Sequence, residues 1–274
     1  MESPSKQFGI IKVEREGRIG IITLNSPKTL NAFSWSFPWD FDRAVDEIAR
    51  DPKMKVVVMK AEGKVFSAGA SMEALKMADT PYKVKTYVNV LNSALKKLQD
   101  MPQPVICAID GASAGGGANL VLSCDIVVAS EKASFAYVFA NLGLVPDTGG
   151  LWNLCRLAGI MRAKEISMRG LSLGAEEALK YGLVAKVVPS DKLYEEAMSV
   201  ARDIESKAGL SIQFIKRICN RMPEMTLETY CDIEEGLLSM MFFTRDFKEG
   251  VNSFLEKRRP DFQGEGEVVA AVKV

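Results

Sequence analysis

The chain has 274 residues, of which 47% are hydrophobic, enough for a sizeable core in one large or two small domains. Its 35 basic residues balance 35 acidic ones, so the molecule has no overall charge to hold it to nucleic acid or to an anionic membrane. Histidine is absent, so any chemistry must use carboxylates, backbone dipoles, tyrosine, cysteine or lysine.

Hydrophobic patterning in the first half of the chain alternates between strands and helices. Residues 10–24 alternate in polarity and break at Glu16 and Gly17, which predicts a β-hairpin. The patterns further predict helices over residues 34–49 and 83–99, and buried strands over 56–60, 105–109 and 126–129. Because the order of strand, glycine turn, helix and strand occurs at least twice, we expect an α/β architecture.

The second half of the chain is mostly helical in pattern from Gly150 onward, with one short strand predicted near residues 184–188. No linker rich in proline, glycine or serine separates the two halves, so we expect one continuous unit. A helical C-terminal region would either close over the α/β part or join subunits. The last residues, 264–274, have no strong pattern, and we expect them to be loosely ordered.

The cysteines and the apolar segments bear on redox chemistry and location. Five widely spaced cysteines without a CxxC pair argue against a disulfide framework and a zinc site, so we expect buried free thiols and no metal. No segment approaches the ~20 apolar residues that span a bilayer, and the first residues lack the apolar core of a signal peptide. We therefore expect a cytoplasmic protein that binds neither membrane nor nucleic acid.

Two glycine-rich turns follow predicted buried strands, at residues 66–70 and 111–117, and each leads into a helix. Free amides at a helix start point at anything bound there, so two converging turns could form an oxyanion hole. The alternative is that each glycine only permits close packing or a positive φ angle. The turns contain neither a dinucleotide-binding G-x-G-x-x-G after a strand nor the Lys-Ser/Thr end of a phosphate loop.

Several separated motifs resemble, in order and spacing, those of the crotonase (enoyl-CoA hydratase/isomerase) superfamily. The motifs lie at residues 24–32, 65–70, 115–117, 124–126, 141–150 and 181–184. Together they cover nearly the whole chain. Residues 142–150 and 249–258 are especially similar to the phenylacetate-pathway ring-epoxide isomerase and the Δ3,Δ2-enoyl-CoA isomerases.

This resemblance implies a crotonase-type α/β fold, a spiral of β-β-α turns with two roughly perpendicular sheets. It implies a core over residues 1–200 that holds the acyl-CoA site. Residues 201–274 would form a helical region for oligomerisation and closure over coenzyme A. The substrate would be an acyl-CoA, with coenzyme A part of the substrate and no separate cofactor. The assembly would be a homotrimer or a dimer of trimers.

The resemblance also assigns roles to individual residues. By position, Ala70 and Gly116 match the residues whose backbone amides hold the thioester oxygen. Lys28 and Leu30 match a loop that contacts the nucleotide end of coenzyme A, and Phe254 and Lys257 match positions that reach its adenine and phosphate. For Lys257 a solvated surface lysine is an equal alternative. The substrate-binding positions implied by the resemblance are Lys28, Leu30, Ala68, Gly69, Met72, Phe139, Phe254 and Lys257.

The sequence departs from typical hydratases at two positions that carry catalytic glutamates in those enzymes, here Asn119 and Phe139. The remaining carboxylate is Asp147, at the position where several isomerases carry their acid/base group. Asp147 could instead cap the helix that follows it. Asn119 could orient a substrate or water, or simply be hydrogen-bonded inside a helix.

We therefore predict isomerisation of an unsaturated or ring-containing acyl-CoA through an enolate, with Asp147 moving the proton. The alternatives are an enoyl-CoA or dienoyl-CoA hydratase that uses Asp147 and a bound water, and a non-catalytic acyl-CoA-binding protein. RNA binding receives little support from a net charge of zero.

Overall fold

The computed structural model describes residues 5–262. The chain divides into two compact units between Ala201 and Arg202, a boundary inside a single helix, Leu193–Glu205. The first unit contains two β-sheets and most of the helices, and the second unit is helical. The acyl-CoA and oligomerisation roles of the two predicted regions stay predictions, and residues 1–4 and 263–274 lie outside the part described.

The larger sheet of the first unit has seven strands in the described residues, in the order β1-β2-β3-β4-β6-β8-β11. These strands are β1 (Lys6–Phe8), β2 (Ile11–Glu16), β3 (Ile19–Leu24), β4 (Val56–Ala61), β6 (Val105–Ile109), β8 (Ile126–Ser130) and β11 (Lys186–Val188). Strands β1 to β3 pair antiparallel, and those from β3 to β11 pair parallel. The predicted hairpin is confirmed, with Ile11 opposite Leu24 and Glu16 opposite Ile19.

Burial explains why these segments form the centre of the sheet. Every residue of β3 and β6 is buried, and β-branched side chains predominate in both, as in strands covered on both faces. The predicted strands over 56–60, 105–109 and 126–129 are confirmed as β4, β6 and β8. The strand predicted near 184–188 is confirmed in shorter form as β11.

A second, smaller sheet has the order β10-β9-β7-β5. Its strands are β5 (Val65–Ser67), β7 (Ala112–Ala114), β9 (Ser134–Ala136) and β10 (Ser172–Gly174). Three times the chain runs from a strand of the large sheet to a strand of the small sheet and then into a helix. One prediction is wrong here: residues 111–117 are not a single turn, because β7 occupies their centre.

The helices of the first unit pack apolar faces against the sheets. They are α1 (Phe37–Ala49), α2 (Met72–Met77), α3 (Pro81–Asp100), α4 (Gly116–Val121), α5 (Gly150–Ala158), α6 (Ile160–Arg169), α7 (Ala175–Lys180) and α8 (Leu193–Glu205). On α1 the rings of Phe37 and Phe41 stack 5.7 Å apart, and Phe33 stacks on Phe37 at 3.8 Å. The predicted helices over 34–49 and 83–99 are confirmed as α1 and α3.

The second unit consists of α9 (Gly209–Arg221), α10 (Leu227–Met241) and α11 (Arg245–Leu255) in the part that the structure describes. The three helices line an apolar groove with Phe214, Leu238, Phe242, Phe247 and Phe254. Helices α10 and α11 are capped at their starts, because the side chains of Thr226 and Thr244 accept hydrogen bonds from the backbone amides of Thr229 and Phe247.

All five cysteines are free, but only Cys107 is fully buried. Cys219 and Cys231 are exposed, so the prediction of buried thiols is wrong for these two, which lie on α9 and α10. Within residues 5–262 no helix is both long and apolar enough to cross a membrane. The same residues contain no group of three or more Cys, Asp or Glu side chains placed to hold a metal ion.

Candidate active site

A loop after β3 fixes the first glycine turn. Leu30 and Asn31 both adopt positive φ angles, of 55° and 51°. The buried Asn31 amide donates to the carbonyl oxygens of Glu62 and Val65, each at 2.9 Å, and its oxygen accepts from the Ser26 amide at 2.7 Å. The two bonds to Glu62 and Val65 tie the loop to the start of β5, and the bond from Ser26 holds the loop itself together.

Hydrogen bonds between Phe33 and the residues on either side of Ala70 hold the first turn and leave the Ala70 amide without an acceptor. The Phe33 amide donates to the Gly69 carbonyl oxygen at 2.7 Å, and the Ser71 amide donates to the Phe33 carbonyl oxygen at 2.9 Å. Phe33 and Ala70 thus form an isolated parallel bridge. In such a bridge the N–H of the central residue points away from the partner. Accordingly, the Ala70 amide donates no hydrogen bond to any residue from 5 to 262.

The second turn, at Gly115 between β7 and α4, leads directly into the first residue of α4. Gly115 has a φ of 51° and donates its own amide to the Ala136 carbonyl oxygen at 2.9 Å. Helix α4 begins at Gly116, and the first amides of a helix lack intrahelical acceptors. The Gly116 amide donates to no acceptor in the described part of the chain.

The two turns touch each other. A Cβ atom built on Gly69 would lie 2.5 Å from the Ala114 carbonyl oxygen and 3.3 Å from the Gly116 nitrogen. One built on Gly117 would lie 2.8 Å from the Cβ of Ser67. The glycines therefore do permit close packing, and Gly69 also has a positive φ of 76°. Both interpretations of these glycines hold together, because close packing is what brings the amide of Gly116 beside the first turn.

Asp147 is held by side chains from two elements. The Asn119 amide nitrogen Nδ2 donates to the Asp147 carbonyl oxygen at 2.9 Å and to the carboxylate oxygen Oδ1 at 3.3 Å. The Thr148 hydroxyl donates to the same Oδ1 at 3.1 Å. The Gly150 amide donates to the Asp147 carbonyl oxygen at 2.8 Å. Burial raises the pKa of Asp147, and the hydrogen bonds from Thr148 and Asn119 partly offset that rise.

Asp147 does not cap α5, so that alternative is wrong. The residue before α5 is Gly149, and no side chain caps this helix. Thr148 and Gly149 both have positive φ angles, 49° and 69°, which turn the chain sharply between Asp147 and the helix. The carboxylate is thereby directed to Asn119 and Thr148 rather than to the amides of the first helical turn.

Asn119 is completely buried on α4 and locked in place. A Cβ atom on Gly150 would lie 2.0 Å from its Oδ1 atom, so the amide group packs directly against the glycine backbone. Its Oδ1 atom has no hydrogen-bond partner in the described structure. A glutamate in this position would face Asp147 with a second negative charge, which would push up the pKa of one of the two carboxyls.

Phe139 supplies an apolar wall beside the second turn. Its ring is 6% exposed, and a Cβ atom on Gly115 would lie 3.6 Å from its Cζ atom. A phenyl ring here makes the space beside Gly115 apolar.

The other predicted binding residues fall into two groups. Lys28, Leu30, Ala68 and Met72 are exposed in the first unit. The structure brings Leu30 and Ala68 together, because the Ala68 amide donates to the Leu30 carbonyl oxygen at 3.0 Å. The second group belongs to the C-terminal unit, at the end of α11. It comprises the exposed residues Phe254 and Lys257.

Sequence analysis overlooked Tyr87 on α3. Burial first, and then the nearby charge of Asp147, raise the pKa of Tyr87. The signal was present in the sequence, since Tyr87 stands four residues before Leu91 and eleven before Leu98, both buried on the same helix. A tyrosine on that stripe carries its hydroxyl inward with the ring.

The repeated path from the large sheet to the small sheet and then into a helix belongs to the crotonase fold, which solved enoyl-CoA hydratases share. The crystal structure of an enoyl-CoA hydratase from Bacillus anthracis matches it with a TM-score of 0.89 and 31% identity, covering 93% of this chain and 100% of that one. The chain belongs to the enoyl-CoA hydratase/isomerase family, whose model matches residues 14–265. The expected resemblance and fold class are confirmed.

Curated relatives of the chain carry both kinds of activity in their names. A probable mitochondrial enoyl-CoA hydratase of Dictyostelium discoideum is 36% identical over 255 residues, which are 93% of this chain and 91% of that protein. A 1,2-epoxyphenylacetyl-CoA isomerase of Escherichia coli (strain K12) is 33% identical over 246 residues, 89% of this chain and 94% of that one. The family is thus shown, and the choice between isomerase and hydratase is open to argument from the site.

Proposed function

We propose that this enzyme isomerises an unsaturated or ring-containing acyl-CoA through an enolate, with Asp147 as the acid/base group. The observation that carries the proposal is the Asn119–Asp147 pair. In this pair an amide, and not a second carboxylate, faces Asp147, whereas hydratases of the family carry glutamates at the positions of Asn119 and Phe139. Moving a double bond needs one group that accepts a proton and returns it, whereas adding water needs one group to activate the water and another to protonate carbon.

The proposed steps balance with one carboxylate. The Asp147 carboxylate removes a proton from C2 of a 3-enoyl thioester, and the electron pair moves onto the thioester oxygen. The amides of Ala70 and Gly116 donate to that oxygen while it carries the charge. The electrons then return as the protonated Asp147 delivers the same proton to C4. The product is the conjugated 2-enoyl thioester, and no external reactant is consumed.

The raised pKa of Asp147 supports this role. A carboxyl that accepts and returns a proton in one turnover is most effective when its pKa lies closer to the operating pH than that of a free carboxyl. Lys28, Leu30, Ala68, Gly69 and Met72 are proposed as substrate contacts in the first unit. Phe254 and Lys257 are proposed as contacts to coenzyme A.

The test is incubation of the purified protein with 3-enoyl-CoA and, separately, with 2-enoyl-CoA. Isomerisation requires rising absorbance of a conjugated enoyl thioester from the first substrate and no hydroxyacyl product from the second. Turnover of 2-enoyl-CoA to a 3-hydroxyacyl-CoA would instead establish hydration. Binding of both thioesters without any turnover would leave a non-catalytic acyl-CoA-binding protein.

One observation favours hydration as a second candidate function. The buried Oδ1 atom of Asn119 accepts no hydrogen bond from residues 5–262, although it lies in the amide group that also contacts Asp147. An amide oxygen and a carboxylate could together hold a water molecule. Exchange of solvent oxygen-18 into the acyl group separates the two candidates, since isomerisation introduces no oxygen.

A further inference from the structure

A single serine hydroxyl connects the loop after β3 to the first glycine turn. Ser67, the last residue of β5, is completely buried. Its hydroxyl donates to the Asn31 carbonyl oxygen at 2.9 Å and accepts from the Gly69 amide at 3.1 Å. Because the hydroxyl hydrogen is used by Asn31, the oxygen is oriented as an acceptor toward Gly69. The side chain therefore has one fixed orientation, and the backbone of the turn is attached to it.

The bond to Gly69 acts on the residue directly before Ala70. Gly69 is buried, and within residues 5–262 its amide donates to no acceptor other than the Ser67 hydroxyl. A buried amide without an acceptor is unfavourable, so loss of the hydroxyl would favour a rotated turn in which this amide finds another partner. The Ala70 amide shares a peptide plane with the Gly69 carbonyl, so rotation at Gly69 would redirect it.

The same side chain lies against the start of α4. A Cβ atom built on Gly117 would lie 2.8 Å from the Cβ atom of Ser67 and 3.0 Å from its Oγ atom. Gly117 directly follows Gly116, whose amide is the second proposed donor. Ser67 thus holds the first turn by a hydrogen bond and contacts the second turn by close packing. The distance between the two turns therefore depends on this side chain.

We propose that Ser67 is a positioning residue for the oxyanion hole, whose hydroxyl fixes the amides of Ala70 and Gly116 relative to each other without touching the substrate. Both donors stabilise the enolate oxygen only when they reach it together, and a misplacement of about 1 Å can cost roughly 100-fold in rate. This inference rests on the proposed enolate chemistry and adds to it a residue that controls its geometry.

The kinetic test compares the wild type with Ser67→Ala. The variant should lower kcat for 3-enoyl-CoA by about 10- to 100-fold while KM stays within about twofold, because the amides matter most for the charged oxygen of the transition state. A loss of folded protein alone would lower the apparent kcat without changing how the bound carbonyl is polarised, so a second readout is needed.

Infrared spectroscopy of bound hexanoyl-CoA, labelled with carbon-13 at the thioester carbonyl, supplies that readout without turnover. Hydrogen bonds to a carbonyl oxygen weaken the C=O bond and lower its stretching frequency. The wild type should therefore shift the labelled band to lower frequency than in the free thioester. In Ser67→Ala most of that shift should be lost, because the two amides no longer point at the same atom.

Ser113→Ala is the matched control. Ser113 is the residue of β7 that pairs with Ser67, and it is also completely buried. Its hydroxyl donates to the Ser134 carbonyl oxygen at 3.1 Å, toward the next strand, and accepts no hydrogen bond within residues 5–262. This variant loses a comparable buried hydroxyl, yet it should keep kcat within about twofold and retain the full band shift.

Ser67→Cys separates hydrogen bonding from space filling. A thiol fills the position of the hydroxyl but is a weak donor and acceptor, so this variant should resemble Ser67→Ala, and it carries the test if the alanine variant does not fold. Wild-type kcat and band shift in a folded Ser67 variant, equal losses in Ser113→Ala, or no band shift in the wild type overturns the inference. Absence of a conjugated product from the wild type contradicts the proposed isomerisation instead, whatever the bound carbonyl shows.

Discussion

At the scale of single residues, Asp147 has to satisfy two conflicting demands. Burial disfavours its charged form, yet Asn119 and Thr148 donate to the carboxylate and favour that form. Because the pKa is raised, the folded protein holds the proton more tightly than the unfolded chain. The contribution of this group to stability is therefore full at acid pH and declines as pH rises from the unfolded value of about 3.9 through the folded value.

Asp147→Asn should lower kcat for 3-enoyl-CoA by about 10²- to 10⁴-fold, the usual contribution of a general acid/base. The same variant should melt at a higher temperature than the wild type at neutral pH, since a neutral amide replaces a buried charge. Calorimetric scans at several pH values check the second effect, and the gain should vanish at acid pH. Unchanged turnover would remove Asp147 from the mechanism.

The matched control for this variant is Asp110→Asn. Asp110 is a partly buried aspartate whose Oδ1 accepts from the hydroxyls of Ser130 and Ser190, and it forms no hydrogen bond with Asn119 or Asp147. Its replacement should leave turnover within about twofold of the wild type, as expected for a change away from the reacting groups.

Asn119→Ala should move the acid limb of the kcat/KM profile to higher pH. The variant loses the Nδ2 donor that stabilises the carboxylate of Asp147, so the pKa of Asp147 rises further. The carboxylate that acts as the base therefore forms only at higher pH. Thr148→Val deletes the other donor and should move the limb in the same direction. A limb that stays in place or moves to lower pH in both variants would show that Asp147 is not the titrating base.

At the scale of elements, the contact between the two turns is the feature that a point change can probe. A Cβ atom on Gly117 would meet the Cβ and carbonyl oxygen of Ser67 at 2.8 Å and 2.9 Å, so the start of α4 would have to move away from β5. Gly117→Ala should therefore lower kcat/KM at least tenfold and cost about 1–3 kcal/mol of unfolding free energy in urea, the usual cost of overpacking.

Gly174→Ala is the control for that change. Gly174 precedes α7, has an ordinary φ of −77°, and a Cβ atom there would meet nothing within 4 Å. Activity should be unchanged and stability altered by less than about 0.5 kcal/mol. If Gly117→Ala behaves like this control, close packing of the turns is not what positions the Gly116 amide.

The elements also show how far sequence patterns reach. The hairpin, α1, α3 and the long strands were predictable because each carries several repeats of its own periodicity. Strands β5, β7, β9 and β10 have three residues each, too few for a period, and none of the four was predicted as a strand. The same limit hid the pairing of Asn119 with Asp147, which are 28 positions apart and meet only in the folded chain.

The family motifs assign Ala70, Gly116 and Asp147 to the site, because each has a fixed position in a motif, and these assignments stay predictions. The helical spacing places Tyr87 on the buried stripe of α3, but it does not tell whether the hydroxyl has a partner, because a tyrosine there gives the same pattern in either case. Only coordinates reveal that the hydroxyl is buried without a partner.

At the scale of the whole molecule, the C-terminal unit exposes large apolar side chains. Leu227, Phe254 and Leu255 are 76%, 83% and 72% exposed in the single chain. Large apolar side chains exposed to this extent are typical of association sites in proteins. We expect light scattering after size exclusion to give the mass of three or six chains. A single-chain mass at micromolar concentration would contradict the predicted homotrimer or dimer of trimers.

The absence of a side chain at Gly150 limits how the catalytic residues of these enzymes can change during evolution. Because the Asn119 amide rests directly on that glycine and also holds Asp147, the three positions depend on one another. Glutamate at position 119 alone would place two negative carboxylates next to each other, which repel. Loss of the Asp147 carboxylate alone would leave the buried Asn119 amide without one of its hydrogen-bond acceptors. Conversion between neighbouring chemistries should therefore proceed by concerted replacements, and the single-step intermediates should be poor enzymes.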